Sequence, residues 1–419
     1  MLSAQDNEMI TRTGPGTPMG EYLRRFWMPA LLSEEIAEPD SPPVRVKILN
    51  EELIAFRDTN GDVGIIDNFC PHRRASLFFG RNEECGLRCV YHGWKFDTKG
   101  DCVDMPSEPA ESNFKDKVKI KAYPAEDWGG YIWAYMGPAE SMPELPEVGW
   151  AMVPESHRKV SRRLQENNFV QGIEGGIDSS HISFLHFGLP PVVRDDPARA
   201  GHSLSNKDTA PHFIVKTTDY GFVYGANREA ENDSYYWRLT PFMLPFFTVI
   251  PGGSGNPDER TYSGHGWVPA DDESCWMFTY SWNTSRPLNE GEGHGASFLE
   301  KEPRTMRAVM NKDNDYGIDR EVQRTKTFTG IEAISVQDSG IQESMGTICD
   351  RTKEHLGTSD SAVIAMRRMY LQGCRDLLEG KEPFVPMKGS AYRVRSVADV
   401  MDKKVTFEET TEKVAVGAA

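Results

Sequence analysis

The chain of 419 residues is 38% apolar and 10% aromatic, which predicts two or three modules with their own cores and excludes a disordered protein. Its 63 acidic residues against 47 basic ones give a net charge of −16, which argues against nucleic acid and anionic membranes as partners. We find neither a signal-peptide pattern nor an apolar run long enough to span a bilayer, and the seven cysteines lack disulfide spacing, so a cytoplasmic location is expected.

The first 43 residues are predicted to form an N-terminal segment that packs on the larger, C-terminal domain. This segment contains a short helix candidate, Met19–Trp27, followed by a proline-rich stretch. Residues 44–138 are predicted to form a small β module, because alternating apolar segments recur there and Asn60-Gly61 supplies a hairpin turn. Prolines beyond this module indicate a linker.

Two short boxes in the β module carry paired metal ligands. Cys70-Pro-His72 is followed, after sixteen residues, by Cys89-Val-Tyr-His92. A Rieske [2Fe–2S] cluster needs two cysteines on one iron and two histidines on the other, and each box offers one of each. A Cys2His2 zinc site is the alternative, but zinc sites usually group like ligands, as CxxC followed by HxxxH. The pattern therefore favours an electron-transfer cluster on loops between strands.

A second group of candidate metal ligands lies in the segment 168–186. Positions 171, 174, 178 and 181 recur at steps of three and four, which predicts one face of a helix, with His186 close beyond its end. Two neutral imidazoles and one distant carboxylate make the facial triad of non-haem Fe(II), which leaves positions open for O2 and substrate. The alternative is a solvated helix on which His181 and His186 are ordinary surface residues.

The domain over residues 150–400 is predicted to combine an antiparallel sheet with helices. Strand patterns cover 222–226, 235–239 and 276–282. Ser361–Leu378 has helical periodicity, with Asp360 as a candidate cap and Gly380 as its stop signal. Three acidic side chains in the preceding region could supply the third iron ligand: Asp338, Glu343 and Asp350. Residues 405–419 are expected to form a flexible tail.

Taken together, these motifs resemble the oxygenase α subunit of Rieske non-haem iron aromatic-ring oxygenases. The resemblance rests on the CxH and CxxH boxes and on the run from Asn168 to His186, which reads Asn-x-x-Gln-x-x-Glu-Gly-x-x-Asp-x-x-His-x-x-x-x-His. The stretches beginning at Cys70 and Gln337 are most similar to the phthalate dioxygenase group. The resemblance implies an α+β protein, in which an all-β Rieske domain precedes a catalytic domain of helix-grip, START-like type.

The resemblance also implies roles for individual residues. It places Asp338 just before a short helix as the third iron ligand beside His181 and His186, with Glu343 in a structural role. Asp178 would not bind metal but would bridge the iron site to the cluster of a neighbouring subunit, which requires a homotrimer or stacked trimers. Asn168 matches a polar family residue near the iron.

The expected function is that of a terminal oxygenase fed by a separate NAD(P)H-dependent flavin and [2Fe–2S] reductase. The leading reaction is cis-dihydroxylation of an aromatic carboxylate, and O-demethylation or aryl-ether oxidation of an aromatic acid is the alternative. A carboxylate in the pocket calls for a cation, for which Arg238 and Lys207 are the candidates. An electron carrier without oxygenase activity is a third hypothesis, which the length beyond residue 150 disfavours.

Overall fold

The structure, a computed structural model, describes residues 1–109, 111–188, 200–252, 259–292 and 300–415, with the backbone alone for 200–203. Its helices are α1 (Ala4–Thr11), α2 (Pro18–Leu23), α3 (Phe169–Gly176), α4 (Ala200–Lys207), α5 (Arg320–Thr325), α6 (Ile334–Ser344), α7 (Ser361–Leu378) and α8 (Phe407–Thr411). None of the helices in these ranges has the length and apolar content needed to cross a bilayer.

The strands fall into a small all-β domain and a larger sheet. The first group is β1 (Trp27–Leu32), β2 (Val44–Ile48), β3 (Glu51–Arg57), β4 (Val63–Asp67), β5 (Arg81–Asn82), β6 (Leu87–Arg88), β7 (Lys95–Phe96), β8 (Cys102–Asp104), β9 (Ala122–Tyr123), β10 (Ala125–Trp128) and β11 (Tyr131–Tyr135). The second is β12 (Arg158–Gln165), β13 (His212–Thr218), β14 (Gly221–Ala230), β15 (Ser234–Met243), β16 (Phe247–Ile250), β17 (Thr261–Pro269), β18 (Cys275–Asn283) and β19 (Val397–Asp402).

The all-β domain consists of three small antiparallel sheets, with strand orders β1-β11-β10, β2-β3-β4-β9 and β5-β6-β7-β8. The alternating burial of β2 reflects one face on the core and one in solvent. Between β3 and β4 the chain turns at Gly61, whose φ of +89° suits glycine, and the Asp58 carboxylate accepts from the turn's backbone N–H groups. The two Cys-His boxes lie on the loops that follow β4 and β6.

The N-terminal segment is shared between the two domains. Helices α1 and α2 begin at Ser3 and Thr17 caps and pack against α7, where the Tyr22 ring lies so close to Gly373 that a Cβ there would be 2.6 Å from it. The predicted helix Met19–Trp27 is therefore too long, because α2 ends at Leu23. Trp27 instead begins β1, which pairs with β11 in the all-β domain.

The larger sheet has eight antiparallel strands in the order β12-β18-β17-β16-β15-β14-β13, with β19 paired to the start of β15. One face packs on the all-β domain, whose Tyr131 hydroxyl donates to the Thr279 carbonyl, and on the segment that follows this domain, whose Trp150 stacks on Tyr280. Alternate residues on the other face meet helices α3 and α6, as when the Arg163 guanidinium donates to the Ser339 hydroxyl, 2.7 Å away. The predicted all-β and α+β domains are both present.

Near the C-terminus the helix predicted over Ser361–Leu378 is confirmed, but its cap differs from the prediction. The Asp360 side chain accepts from the Gly357 N–H instead of from the helix, and the helix stops before Gly380, which has a φ of +71°. The prediction of a flexible tail from residue 405 is wrong for residues 405–415. Helix α8 follows β19 there and buries Phe407. Residues 416–419 lie outside the described ranges.

We expect Phe407→Ala to lower the unfolding free energy by about 3–5 kcal/mol, since large-to-small changes at buried aromatic positions have that cost. Phe407 is 5% exposed and stacks on Trp237, with ring centroids 5.8 Å apart. Denaturant and thermal unfolding would measure the change, with the exposed neighbour Glu408→Ala as control. Equal midpoints for both variants would contradict a packed C-terminal helix.

Candidate metal centres

The two Cys-His boxes form loops with the same backbone hydrogen bonds. In each, the cysteine N–H donates to the carbonyl five residues later, and its carbonyl accepts from the N–H four residues later. In the first loop the Cys70 N–H donates to the Ala75 carbonyl and the Arg74 N–H donates to the Cys70 carbonyl. In the second loop the Cys89 N–H donates to the Trp94 carbonyl and the Gly93 N–H donates to the Cys89 carbonyl. All four N···O distances are between 2.8 and 2.9 Å. The residues at the fourth position have positive φ in both loops, +60° at Arg74 and +79° at Gly93. Sequence spacing alone had not revealed this duplication.

The two cysteine sulfurs lie at the base of these loops and are buried, with 1% of Cys70 and 3% of Cys89 exposed. Contact with the Cys70 thiol, supported by backbone N–H groups of Tyr91 and His92, lowers the pKa of Cys89 to about 6 although burial opposes ionisation. The same N–H groups would bond a cluster sulfur, which is one of the ways a protein tunes cluster potential.

The histidines of the two boxes, His72 and His92, lie side by side nearer the surface, with ring centroids 4.4 Å apart. His72 stacks on Trp94 at 4.4 Å and 11°, and His92 lies 3.9 Å from the Tyr91 ring. Buried sulfurs below and paired imidazoles above match the division of ligands in a Rieske cluster, with two sulfurs for one iron and two nitrogens for the other. The donor set therefore fits a [2Fe–2S] group.

We expect Gly93→Ala to reduce cluster content, because a Cβ at Gly93 would lie 2.7 Å from Pro106 Cγ in a backbone conformation that alanine avoids. Iron assay and the visible spectrum of the purified protein would measure the loss. Gly346→Ala is the matched control, since Gly346 also has a positive φ of +90° but its Cβ would meet nothing within 4 Å. Full cluster content in Gly93→Ala would contradict the constraint.

The second candidate site lies beyond the end of helix α3. This helix begins at the Asn168 cap and ends at Gly176, so the single helical face predicted for positions 171–181 is interrupted. A short 3-10 turn, His181–Ser183, carries the first histidine. Asp178 initiates that turn, because its Oδ1 accepts from the Ser180 N–H at 2.6 Å.

Three side chains converge at this turn: His181 from the turn itself, His186 from the residues that follow it, and Asp338 from helix α6. Their candidate ligand atoms all lie within 4.8 Å of one another. The two Nε2 atoms are 3.1 Å apart, and Asp338 Oδ1 is 3.3 Å from His186 Nε2 and 3.8 Å from His181 Nε2. Two imidazoles and one carboxylate on a common point are the donor set of a facial triad. The structure thus brings together the three residues proposed as iron ligands.

The other ring nitrogens of both histidines face polar side chains. His181 Nδ1 is 3.6 Å from Asp178 Oδ2, within ion-pair distance, and His186 Nδ1 is 2.7 Å from Gln337 Oε1. Metal-bound histidines usually have such an outer partner. Sequence reasoning missed Gln337 in this role, and its position directly before Asp338 was the available signal.

Charges inside the site support one another. Burial opposes ionisation of Asp338, but His186 and then His181 outweigh it and lower the pKa of Asp338 to about 2. Burial likewise disfavours a charged His181, yet Asp178 prevails and raises the pKa of His181. The pKa of Asp178 is in turn lowered by His181 despite burial. Both carboxylates are therefore anionic at neutral pH, which suits a cation.

Asp338 lies within helix α6 and not before a short helix as predicted. Glu343, on the same helix, accepts from the Tyr316 hydroxyl at 2.6 Å and from the Glu166 N–H at 3.1 Å, a structural role. Asp350 lies on the surface and bonds to Thr352. Among the described acidic groups only Asp338 joins the two histidines.

The structure does not support the predicted role of Asn168 near the iron. Its side-chain oxygen caps α3 by accepting from the Val170 N–H, and its amide donates to the Thr11 and Asp272 carbonyls at 2.9 and 2.7 Å. All of its polar atoms are thus engaged in holding the helix start to the N-terminal segment. Asn168 is a structural residue here and not a group beside the metal ligands.

The helix-facing side of the sheet carries three arginines without a carboxylate partner. Arg163, Arg228 and Arg238 have no acidic oxygen of the described residues within 4.0 Å. Burial, with the like charge of Arg238, lowers the pKa of Arg228 to about 10, and Arg228 bonds the Ser179 carbonyl at 2.7 Å. Arg238 is close enough to His181 to act on it electrostatically. This face can therefore accommodate an anion.

The second cation predicted to bind substrate is a surface residue. Lys207 ends α4 and pairs with Glu231 at 2.5 Å, with 53% of its side chain exposed. Arg238 contrasts with it, because its Nε is buried without a hydrogen-bond partner among the described residues, and its only such bond there is a long one to the Tyr236 hydroxyl. The surface ion pair contradicts the prediction for Lys207, and the substrate role of Arg238 stays a prediction.

A cavity of about 420 Å³ borders the start of helix α6. Its lining includes Tyr316, Ile331 and Val336, and none of the three convergent ligand side chains borders it. The cavity is therefore separate from the candidate metal ligands. Arg238 is a better indicator than this cavity of where a substrate would bind.

Comparison with protein families divides the chain into the same two parts. Residues 26–124 match the Rieske [2Fe-2S] domain, and residues 134–416 match the LigXa C-terminal domain like family. The second match alone spans more than half of the chain. Two independent families thus cover the cluster loops and the convergent histidines respectively.

Curated relatives match along the full chain. The 3-chlorobenzoate-3,4-dioxygenase oxygenase subunit of Comamonas testosteroni is 39% identical over 98% of this chain and 99% of its own. The phthalate 4,5-dioxygenase oxygenase subunit of Pseudomonas putida is 37% identical, over 98% and 94%. The 5,5'-dehydrodivanillate O-demethylase oxygenase subunit of a Sphingobium species is 31% identical, over 100% and 92%.

Solved structures share the fold at low sequence identity. Dicamba monooxygenase bound to dicamba matches with a TM-score of 0.60 and 17% identity, over 86% of this chain and 99% of that one. NdmA of Pseudomonas putida CBB5 matches with a TM-score of 0.58 and 20% identity, over 89% and 94%. These likenesses concern the arrangement of the two domains alone.

Proposed function

This chain belongs to the Rieske non-haem iron oxygenases, as an oxygenase subunit, and we propose that it oxidises an aromatic carboxylate. The family resemblance, the two-domain fold class and the pair of iron cofactors predicted from the sequence are confirmed. The match of residues 26–124 to the Rieske [2Fe-2S] domain sets aside the zinc-site alternative for the two Cys-His boxes. The match over 134–416 sets aside the electron carrier without oxygenase activity, because that part is the catalytic domain of the family.

Two sets of residues would hold the cofactors. Cys70 and Cys89 would bind one iron of the cluster and the paired histidines of the two loops the other, while the convergent histidines and Asp338 would bind the mononuclear iron. When bound, the cluster delivers electrons with which the mononuclear iron activates O2. The protein would keep both His ligands oriented through their Nδ1 atoms. A donor set of two histidines and one carboxylate would leave metal positions open for O2 and substrate.

The observation that carries the substrate class is the guanidinium of Arg238, which has no carboxylate partner among the described residues and whose Nε is buried there without a hydrogen-bond partner. A buried cation without a counter-ion is costly, whereas a carboxylate could accept from two guanidinium nitrogens at once. Arg228 adds positive charge on the same face of the sheet. It lies on β14 two positions from Ala226, which pairs directly with Arg238 on β15, and residues two apart on a strand point to the same face. An aromatic acid anchored at Arg238 would place its ring toward His181.

cis-Dihydroxylation of the ring is the leading reaction. Two relatives, 39% and 37% identical to this chain, are dioxygenase subunits whose names give benzoate- and phthalate-type substrates. O-Demethylation of an aromatic acid is the second candidate, favoured by the 31% identical O-demethylase subunit. Phenolic product with formaldehyde would identify the second reaction, and a dihydrodiol the first.

We further propose that the cluster of one subunit serves the iron of another. Asp178 is 31% exposed beside His181, and the exposed rings of Phe184 and Phe328 flank this side. The rim of the cluster is also apolar and exposed, at Val90 and Tyr91. Two such surfaces would be buried together in a homotrimer or a stack of trimers, with Asp178 reaching a cluster histidine. A separate NAD(P)H-dependent flavin and [2Fe–2S] reductase in the cytoplasm would supply the electrons.

The function is tested by single turnover of the dithionite-reduced enzyme with O2 and a panel of benzoates, phthalates and methoxybenzoates. We expect product in stoichiometric amounts from carboxylated rings and none from the corresponding uncharged esters, since esters cannot pair with Arg238. Chromatography for dihydrodiols and a formaldehyde assay would distinguish the two reactions. Turnover of esters and acids at equal yield would contradict the proposed substrate class.

Replacement of the proposed anchor should affect binding more than chemistry. We expect Arg238→Met to raise KM for an aromatic acid by about 10–100-fold, because a buried charge-assisted hydrogen bond contributes roughly 1.5–3 kcal/mol. Lys207→Met removes a cation whose partner is the surface residue Glu231, and we expect unchanged steady-state kinetics. Equal effects of the two variants would contradict the assignment of Arg238.

A further inference from the structure

We propose that Gln337 is a positioning residue that fixes the tautomer of His186, so that Nε2 of this ring is presented unprotonated to the metal. This inference rests on the proposed iron site and adds a residue that the ligand set does not include. Gln337 does not touch the reacting atoms, and its effect passes through the imidazole of His186.

The first step is the orientation of the Gln337 amide. Only 3% of Gln337 is exposed, so its polar atoms must find partners within the protein. The amide Nε2 donates to the Ile331 carbonyl at 2.7 Å. A carbonyl oxygen accepts and cannot donate, so the NH2 group must face Ile331. The amide oxygen is then left pointing in the other direction.

The second step is the proton on His186. Gln337 Oε1 is 2.7 Å from His186 Nδ1, and an amide oxygen also accepts only. His186 Nδ1 must therefore carry the hydrogen. A neutral imidazole has one N–H, which leaves the lone pair on Nε2. Nε2 is the atom that faces His181 and Asp338, at 3.1 and 3.3 Å.

The third step is the difference between the two histidines. His181 has the Asp178 carboxylate as its outer partner at 3.6 Å, whereas His186 has a neutral amide at a shorter distance. A carboxylate at position 337 would place an acceptor oxygen against the Ile331 carbonyl oxygen, and these two acceptors would repel each other unless the carboxylate were protonated. A glutamine satisfies both neighbours without adding charge. Helix α6 thus supplies one metal ligand, Asp338, and the partner that orients another.

The test measures metal affinity, independently of turnover. Protein with its cluster intact, but stripped of mononuclear iron by a chelator, is dialysed against buffered Co²⁺, and bound cobalt is counted by mass spectrometry. We expect Gln337→Leu to bind Co²⁺ about 10–100-fold more weakly than the wild type, the usual effect of losing an outer partner. Gln337→Glu keeps an acceptor at His186 and, when protonated, a donor to Ile331. We expect it to lose less than about tenfold.

Gln372→Leu is the control, because it makes the same substitution on helix α7, where the exposed Gln372 side chain bonds Asp376 and no metal ligand. We expect near wild-type cobalt affinity in this variant. Equal losses in the two leucine variants, or wild-type affinity in Gln337→Leu, would overturn the inference. A wild-type protein that takes up no cobalt would overturn the iron site itself. Failure to oxidise aromatic acids would refute the proposed function and leave these affinities interpretable.

Discussion

The close approach of helices α3 and α6 is the constraint on which the catalytic domain depends. His181 and His186 follow α3, and Asp338 lies on α6, so the two helices must meet for the ligands to converge. A Cβ at Gly175 would lie 2.2 Å from the Gln342 side chain, and the Gln171 amide bonds the Gln342 and Gly346 carbonyls. Small residues on one helix and a buried amide between the two therefore set the geometry of the metal site.

The candidate metal ligands were predictable from the sequence because ligand chemistry restricts both residue type and spacing. Alternating cysteine and histidine boxes indicated a cluster, and paired histidines with a distant carboxylate indicated an iron triad. The family resemblance supplied the choice of Asp338 over Glu343. The antiparallel sheet and helix α7 followed from periodicity, which survives in the structure because both elements have one buried face.

The errors arose where tertiary contacts decide the outcome. The periodicity continues through Gly175 and Gly176, but α3 ends at Gly176, where the Trp267 ring would lie 2.4 Å from a Cβ, and the chain then turns at Asp178. Asn168 and Lys207 carry suitable groups for a site, yet local capping and a surface ion pair use them. Partners more than a hundred positions away in sequence, as for Gln337 and His186, leave no pattern within a short window.

The convergence of His186 and Gln337, 151 positions apart, has a consequence for how the protein unfolds. A metal held by His186 and Asp338 would join two distant parts of the chain, and the site would be lost when those parts separate on unfolding. Such a metal binds the folded state alone and stabilises it by mass action. Loss of a ligand would thus weaken folding together with chemistry, so a drop in activity reports both effects until the melting temperature separates them.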